Sequence, residues 1–323
     1  MSGATTSSEP DRGQLRAFYV LQGVYVAFIA ALFVARGIGL TPDIIFLLLA
    51  AGFVWRGRRW QFVRDFAPFV LLLLSYDAMR GIADDLGMQV RVRYVIDWER
   101  ALFFGHLPTQ DLQGWLFNPE SSRWYDYVAA LLHVMHFLVP LLFAALIWQH
   151  YRQHYWPLVI SLVLVSYAGF VTFMLLPTAP PWWAGRMGEL EGVHLVHDGL
   201  PALSLLYDKL SPNPVAAMPS LHAAYPWLFL LFGLRLWGRR GLAMAFYPAA
   251  VYAAVVYLGH HYVVDLIGGV VYASVTYYVV CGPLGERAVA AAVALRERWR
   301  GRGQRPAREA GPAEGEPLPV GGK

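Results

Sequence analysis

Lysine and cysteine are almost missing from this 323-residue chain: its only lysines are Lys209 and Lys323, and its one cysteine is Cys281. A single cysteine excludes an intrachain disulfide and a Cys-x-x-Cys redox or metal pair. No glycine-rich loop ending in Lys and no Gly-x-Ser-x-Gly elbow occurs, which removes P-loop nucleotide chemistry and the α/β-hydrolase nucleophile. Charge is scarce too, at 15% of residues, where soluble domains carry about 25%. The net charge of +4 comes from short arginine clusters between apolar runs and carries no further nucleic-acid signature. The polar start, Met1 to Arg16, has no small-residue cleavage site behind an apolar core, and reads as a cytoplasmic tail, not a signal peptide.

What is abundant is apolar sequence, 57% of the chain. Several stretches approach the roughly 20 residues that cross a bilayer as a helix, and in hydrocarbon a spanning segment of this kind must be helical. The pattern predicts an all-α polytopic membrane bundle of about eight spans: Leu15–Ala35, Leu40–Trp55, Phe62–Met79, Tyr125–Trp148, Trp156–Leu176, Ser220–Trp237, Gly241–Leu258 and His261–Cys281. The expected organisation is a cytoplasmic tail over 1–14, a membrane-embedded catalytic domain over 15–282 with its core at about 60–282, and a cytoplasmic amphipathic segment and disordered tail over 283–323. Arg56, Arg58, Arg59, Arg152, Arg235, Arg239, Arg240 and the arginines after 295 fall on one side if both termini are cytoplasmic. Arg80, Arg91, Arg93 and Arg186 fall on the other. Residues 97–118, rich in Trp and Phe, read as an amphipathic stretch at the outer interface, and 177–219 as an outer loop or lid.

Two motifs carry chemistry. Pro219-Ser220-Leu221-His222 opens span six, and His260-His261-Tyr262-Val263-Val264-Asp265 opens span eight. On a helix, His261 and Asp265 share a face, with β-carbons about 5–6 Å apart, a spacing that lets a carboxylate orient an imidazole. An intramembrane carboxylate marks a functional site. Under the predicted orientation His222, His261 and the Pro177–Trp183 segment converge at one depth. The expectation is two imidazoles facing each other across a phosphate-sized gap, with Asp265 behind one. His133 with His136, and His194 with His197 and Asp198, form two further sets that could ligate zinc. Neither has a third convincing ligand, so no metal and no cofactor is expected. His136 can instead line a lipid pocket or make a helix–helix hydrogen bond. Gly268-Gly269 allows close helix packing.

Pro219-Ser220-Leu221-His222 is similar to the second signature of the type 2 phosphatidic acid phosphatase superfamily, and His261 with Asp265 matches the His-x-x-x-Asp end of its third. The resemblance covers about Asp126 to Val280. It implies a six-helix core and a metal-free phosphohistidine reaction: His261 as nucleophile on phosphorus, Asp265 orienting it, His222 protonating the leaving oxygen and then activating the acceptor. The first signature of the phosphatase branch, with its Lys and Arg-Pro, is absent. The Ser-Arg expected six and seven residues before the nucleophile is replaced by Ala254 and Val255. What remains, with Pro177-Thr178-Ala179-Pro180-Pro181-Trp182 and His260-His261-Tyr262-x-x-Asp265, resembles the inositol phosphorylceramide synthase branch. Phosphate must then meet other groups, among them Arg80, Arg186, Arg91 and Arg93, with Arg80 favoured because arginine suits bidentate phosphate contacts; Ser220, His260, Tyr262 and His136 complete the expected substrate contacts.

The reading is a membrane enzyme at the extracytoplasmic face, in the plasma membrane if the source is bacterial. It transfers a phosphoryl-containing head group, such as inositol phosphate, from a phospholipid donor to a lipid or polyol acceptor. The alternatives are hydrolysis of a lipid phosphate (phosphatidic acid or a polyprenyl phosphate) by the same machinery, and a lipid transporter or flippase, whose site would sit nearer the midplane.

Overall fold

A computed structural model of the chain describes residues 59–83, 89–200, 215–285 and 287. Spans one and two, at 15–55, and the tail beyond 287 lie outside the described residues. Regular structure among the described residues is helical, with only isolated bridges of extended chain. In chain order the α-helices are α1 (Arg59–Ala83), α2 (Arg93–Leu102), α3 (Pro108–Leu116), α4 (Trp124–His150), α5 (Tyr155–Leu175), α6 (Pro181–Arg186), α7 (Leu221–Trp237), α8 (Phe246–Tyr257) and α9 (Val263–Cys281). Contacts divide the chain into a unit ending at Tyr277 and another beginning at Tyr278; the packing described below lies in the first.

Helix α1 turns Phe62, Phe66 and Phe69 inward at helical spacing, all fully buried. Their rings meet Trp148 of α4 and Tyr155 of α5. Asp65, on the same helix, accepts from Trp148 Nε1 at 2.9 Å and pairs with Arg152, while the Tyr155 hydroxyl donates to its carbonyl. A carboxylate this buried persists because each neighbour is a donor. One end of the bundle is thereby closed where α4 turns into α5.

Helix α4 is bent by 56° between its halves, Trp124–His136 and Leu138–His150. Pro140 explains the bend, because its ring displaces the carbonyl four residues back, that of His136, and supplies no N–H to it. Outward positions of α5 and α9, such as Ile160, Leu164, Val171, Ile267, Val271 and Val275, are large, apolar and exposed. A face of this kind belongs against lipid, and the chain is an integral membrane protein.

The eight-span expectation is not reproduced in full. Among the described residues only Arg152–Leu175 and Val263–Gly285, and the bent α4 if it counts as one span, are long and apolar enough to cross a membrane. The expected span at 241–258 contributes a helix of 12 residues, preceded by a 3-10 turn over Gly238–Ala245. Such a helix is about 18 Å long, short of a bilayer core of about 30 Å. Gly238, at φ +56°, ends α7, and Gly241 lies so close that a β-carbon there would stand 2.4 Å from the Gly233 carbonyl oxygen. The tight return consumes the residues that hydropathy assigns to a span.

The interfacial stretch becomes two short helices. In α2, Val95, Ile96 and Glu99 face inward while Trp98 and Leu102 stay exposed; in α3, Thr109 and Gln113 face inward and Trp115 outward. Gln113 ties α3 to the bundle, donating to the carbonyls of Tyr257 at 2.8 Å and His194 at 2.9 Å and accepting from the His194 N–H at 2.8 Å. From the expected outer loop, Thr178 forms parallel bridges with Arg91 and Ala216, and the Trp182 N–H donates to the Gly259 carbonyl at 3.0 Å. Residues 177–182 are thus laid beside both histidine motifs.

Candidate active site

The two motifs meet through their main chains. The Ser220 N–H donates to the Asp265 carbonyl at 3.0 Å, and a β-carbon on Gly269 would lie 2.1 Å from the Ser220 carbonyl oxygen. Only glycine permits that crossing of the α7 start over α9. Gly268 meets nothing nearer than 3.6 Å, so the close packing expected of the pair rests on Gly269. The Ser220 hydroxyl accepts from the Ala223 N–H at 3.2 Å and caps α7, satisfying one donor at the helix start. Buried and directed at its own helix, it is placed as a cap.

His261 is not on the helix that carries Asp265. The chain leaves α8 through Gly259 at φ +82°, the N–H groups of His260 and His261 both reach the Val255 carbonyl, and α9 begins at Val263. Asp265 starts α9 itself: its Oδ2 accepts from the Tyr262 N–H at 2.9 Å, the backward half of a capping box. Glu99 of α2, fully buried, completes the cap by accepting from the N–H groups of Val263 at 2.9 Å and Val264 at 3.0 Å. His261 Nδ1 then lies 3.5 Å from Asp265 Oδ2, ion-pair range, although the helical face-sharing expected of them does not occur.

His222 Nδ1 and His261 Nε2 are 3.2 Å apart. The phosphate-sized gap is therefore absent, because the two polar edges satisfy each other directly.

Six histidines gather here: His133, His136, His197, His222, His260 and His261. His260 Nε2 contacts His197 Nδ1 at 2.9 Å. Burial pushes His197 down to about 4 and His260 well below the ordinary imidazole range, the latter helped by the nearby rings of His133 and His197. Burial raises Glu99 above the usual carboxylate range, against the two backbone N–H groups that lower it.

The sequence offers two separate metal-ligand sets, but the structure takes one histidine from each and adds His260. Ligand nitrogens of His133, His197 and His260 lie within 4.8 Å of one another. Imidazole binds a metal in its own ring plane. The planes of His133 and His260 are parallel to within 1°, with centroids 4.1 Å apart, so the two do not converge on one ion unless a ring turns.

Other expected contacts lie elsewhere. Arg186 pairs with Asp198 at 2.8 Å, stacks over Trp182, and lines a surface cavity of about 580 Å³ whose described walls do not include His222 or His261. Arg93 pairs with Glu189 at 3.0 Å in the open. Tyr262 is buried in an apolar cluster with Val95, Ile96, Leu107 and Leu190. The side chain of Arg80 lies outside the described residues. Ala254 and Val255, where the phosphate clamp is missing, are packed in apolar clusters. Sequence reasoning missed Glu99, whose one signal is an acid at an inward position of the amphipathic α2.

The PAP2 superfamily model matches residues 93–279. The chain belongs to the PAP2 superfamily. Within it, the chain is 26% identical over 224 residues to the phosphoinositol dihydroceramide synthase of Bacteroides thetaiotaomicron, covering 63% of this chain and 71% of that protein. It is 31% identical over 120 residues to the inositol phosphorylceramide synthase catalytic subunit aur1 of Schizosaccharomyces pombe, and 29% over 120 residues to the inositol phosphorylceramide synthase of Candida albicans. Those two alignments span 34% and 31% of this chain, and 28% and 24% of the fungal proteins. No solved structure matches. As a PAP2-superfamily member, the chain has its matched region over both histidine motifs and over α2, the helix that brings Glu99.

Proposed function

We propose that this chain is a membrane enzyme that moves an inositol-phosphate-type head group from a phospholipid donor to a lipid hydroxyl, through a phosphohistidine on His261 at the extracytoplasmic face. The observation that carries the proposal is the pair His222 Nδ1–His261 Nε2 at 3.2 Å with Asp265 Oδ2 at 3.5 Å behind His261. The carboxylate holds Nδ1 of His261 and directs the Nε2 lone pair at phosphorus. Attack forms the N–P bond and breaks the bond from phosphorus to the glycerol oxygen, which takes its proton from His222. The acceptor hydroxyl then gives its proton to His222 and attacks phosphorus, releasing His261. One proton leaves His222 and one returns, so the cycle balances. Positioned proton transfer of this kind contributes about 10²–10⁴-fold.

The relatives named as synthases support transfer over hydrolysis, and so do apolar Ala254 and Val255 where the phosphatase branch has a clamp. The test is a labelled phosphatidylinositol and a ceramide in detergent, with wild type and His261→Ala. Transfer of label to the ceramide, lost in the variant, and an acid-labile, base-stable phosphoryl adduct in rapidly quenched wild type are expected. Undiminished transfer by folded His261→Ala would sink the proposal. Release of labelled inositol phosphate to water without an acceptor requirement would replace it with the hydrolase reading.

A further inference from the structure

We propose that His133 and His136 are positioning residues for His222, holding its imidazole by the two faces. The inference rests on the reading of His222 as the acid–base group. The centroid of His133 is 4.4 Å from that of His222 at 18° between planes, and that of His136 is 4.1 Å away at 34°. Two rings at such distances crowd each other over one face, so they take opposite faces. His133 and His136 are one turn apart on α4, and His222 and Tyr225 one turn apart on α7. Tyr225 in turn stacks on the far side of His136, 4.7 Å away at 2°. The two helices therefore interleave ring by ring, and His260 extends the column beyond His133, 4.1 Å away at 1°. Five rings run in the order His260, His133, His222, His136, Tyr225.

The chemistry of an imidazole lies at its edge. Proton transfer uses the in-plane nitrogens, and a ring stacked on the face neither gives nor takes a proton there. The stack leaves the edge of His222 directed at His261 and removes the tilting freedom of the ring, which is the freedom that would spoil a proton transfer. Offset stacking suits this role because its geometry is specific. It also presents π-faces to the imidazolium that forms when His222 takes the acceptor's proton. The column is not needed as a proton conduit, because the proposed cycle returns to His222 the proton it gives up. Pro140 places the bend of α4 at the carbonyl of His136, where the interleaving occurs.

The experiment compares His136→Ala, His136→Phe and His133→Phe with wild type, with His222→Ala as control and thermal unfolding to establish that each variant is folded. Phenylalanine keeps a stacking face and has no ring nitrogen. His136→Ala is expected to lower kcat about 10²-fold, as small misplacements of a catalytic group do, with KM within about twofold. Both phenylalanine variants are expected to return kcat to within about fivefold of wild type. A folded His136→Ala with normal kcat overturns the inference. So does a change confined to KM, which would make His136 a substrate contact. A folded His136→Phe as slow as the alanine variant also overturns it, because ring nitrogens would then be what matters. If His136→Ala does not fold, His136→Phe decides alone. If His222→Ala turns over normally, the assignment of His222 fails; if it is dead while the stacking variants are untouched, only the clamp fails.

Discussion

His222 Nδ1 donates to or accepts from His261 Nε2 across 3.2 Å, so the proposed acid–base and nucleophilic edges are sealed against each other. An in-line transfer needs phosphorus and an oxygen between them, with approaches of about 3 Å on each side. Under the proposed reaction, substrate breaks this bond before any chemistry, so the roles of the two rings are coupled.

That coupling gives the first prediction. His222→Ala and His261→Ala are each expected to lower kcat by about 10³-fold or more, and the double variant by little further, because residues that act as a unit are grossly non-additive. Steady-state transfer rates of the three folded variants check it. Losses that multiply would mean two independent contributions.

Glu99 holds the α9 start from another helix, through Val263 and Val264. Glu99→Ala removes the acceptor for two backbone donors, one of them buried, at about 1–3 kcal/mol each. A lower melting temperature and a fall in kcat are expected together, since α9 carries Asp265. Glu99→Gln keeps one acceptor oxygen and is expected to fall between. Equal melting temperatures for Glu99→Ala and wild type would remove the capping role.

Gly269→Ala puts a methyl 2.1 Å from the Ser220 carbonyl oxygen. Backbone must move, at about 1–3 kcal/mol, and the movement separates the two motifs. Reduced transfer with a lowered melting temperature is expected, while Gly268→Ala, with 3.6 Å to its nearest neighbour, is expected to retain both. Comparing the two glycine variants side by side separates a local clash from general helix weakening.

His197, fully buried and pushed down to about 4, gives a pH dependence. In the unfolded chain it titrates near 6.5. A depressed histidine adds stability that is fully present above about 6.5 and is lost as pH falls from there toward about 4, because only the unfolded state binds the proton. The slope is about 1.4 kcal/mol per pH unit for each such group, and His260, depressed by the same burial, adds to it. Melting temperatures from pH 8 to pH 4 are expected to fall below 6.5, less steeply in His197→Gln. A flat profile would show that the cluster admits protons while folded.

Much of this site was legible. A polar motif at the start of an apolar run signals a helix terminus at the membrane surface, and two such motifs with an intramembrane Asp signal a meeting point. His222, His261 and Asp265 did come together on that logic. The helical phase relation of His261 and Asp265 was not legible, because Asp265 caps the helix and leaves His261 in the turn before it. The short α8 was hidden in the same way: hydropathy counts apolar residues and does not see a tight return through Gly238 and Gly241. The histidines of α4 and of the loop at 194–198 looked like two weak sets, since neither alone shows that one member of each lies beside His260.

By itself, the sequence determined the solvent, the helical class and the terminal positions of the polar motifs, because these follow from hydrogen-bond satisfaction in lipid and act over a few residues. Only the tertiary structure decided which faces meet. Interleaving His133 and His136 with His222 and Tyr225 depends on the crossing and rotation of two helices, one ending at His150 and the other beginning at Leu221, set by contacts such as Gly269 against Ser220 and Asp65 against Trp148. Short-range pattern holds no information on those angles, since they are fixed by packing.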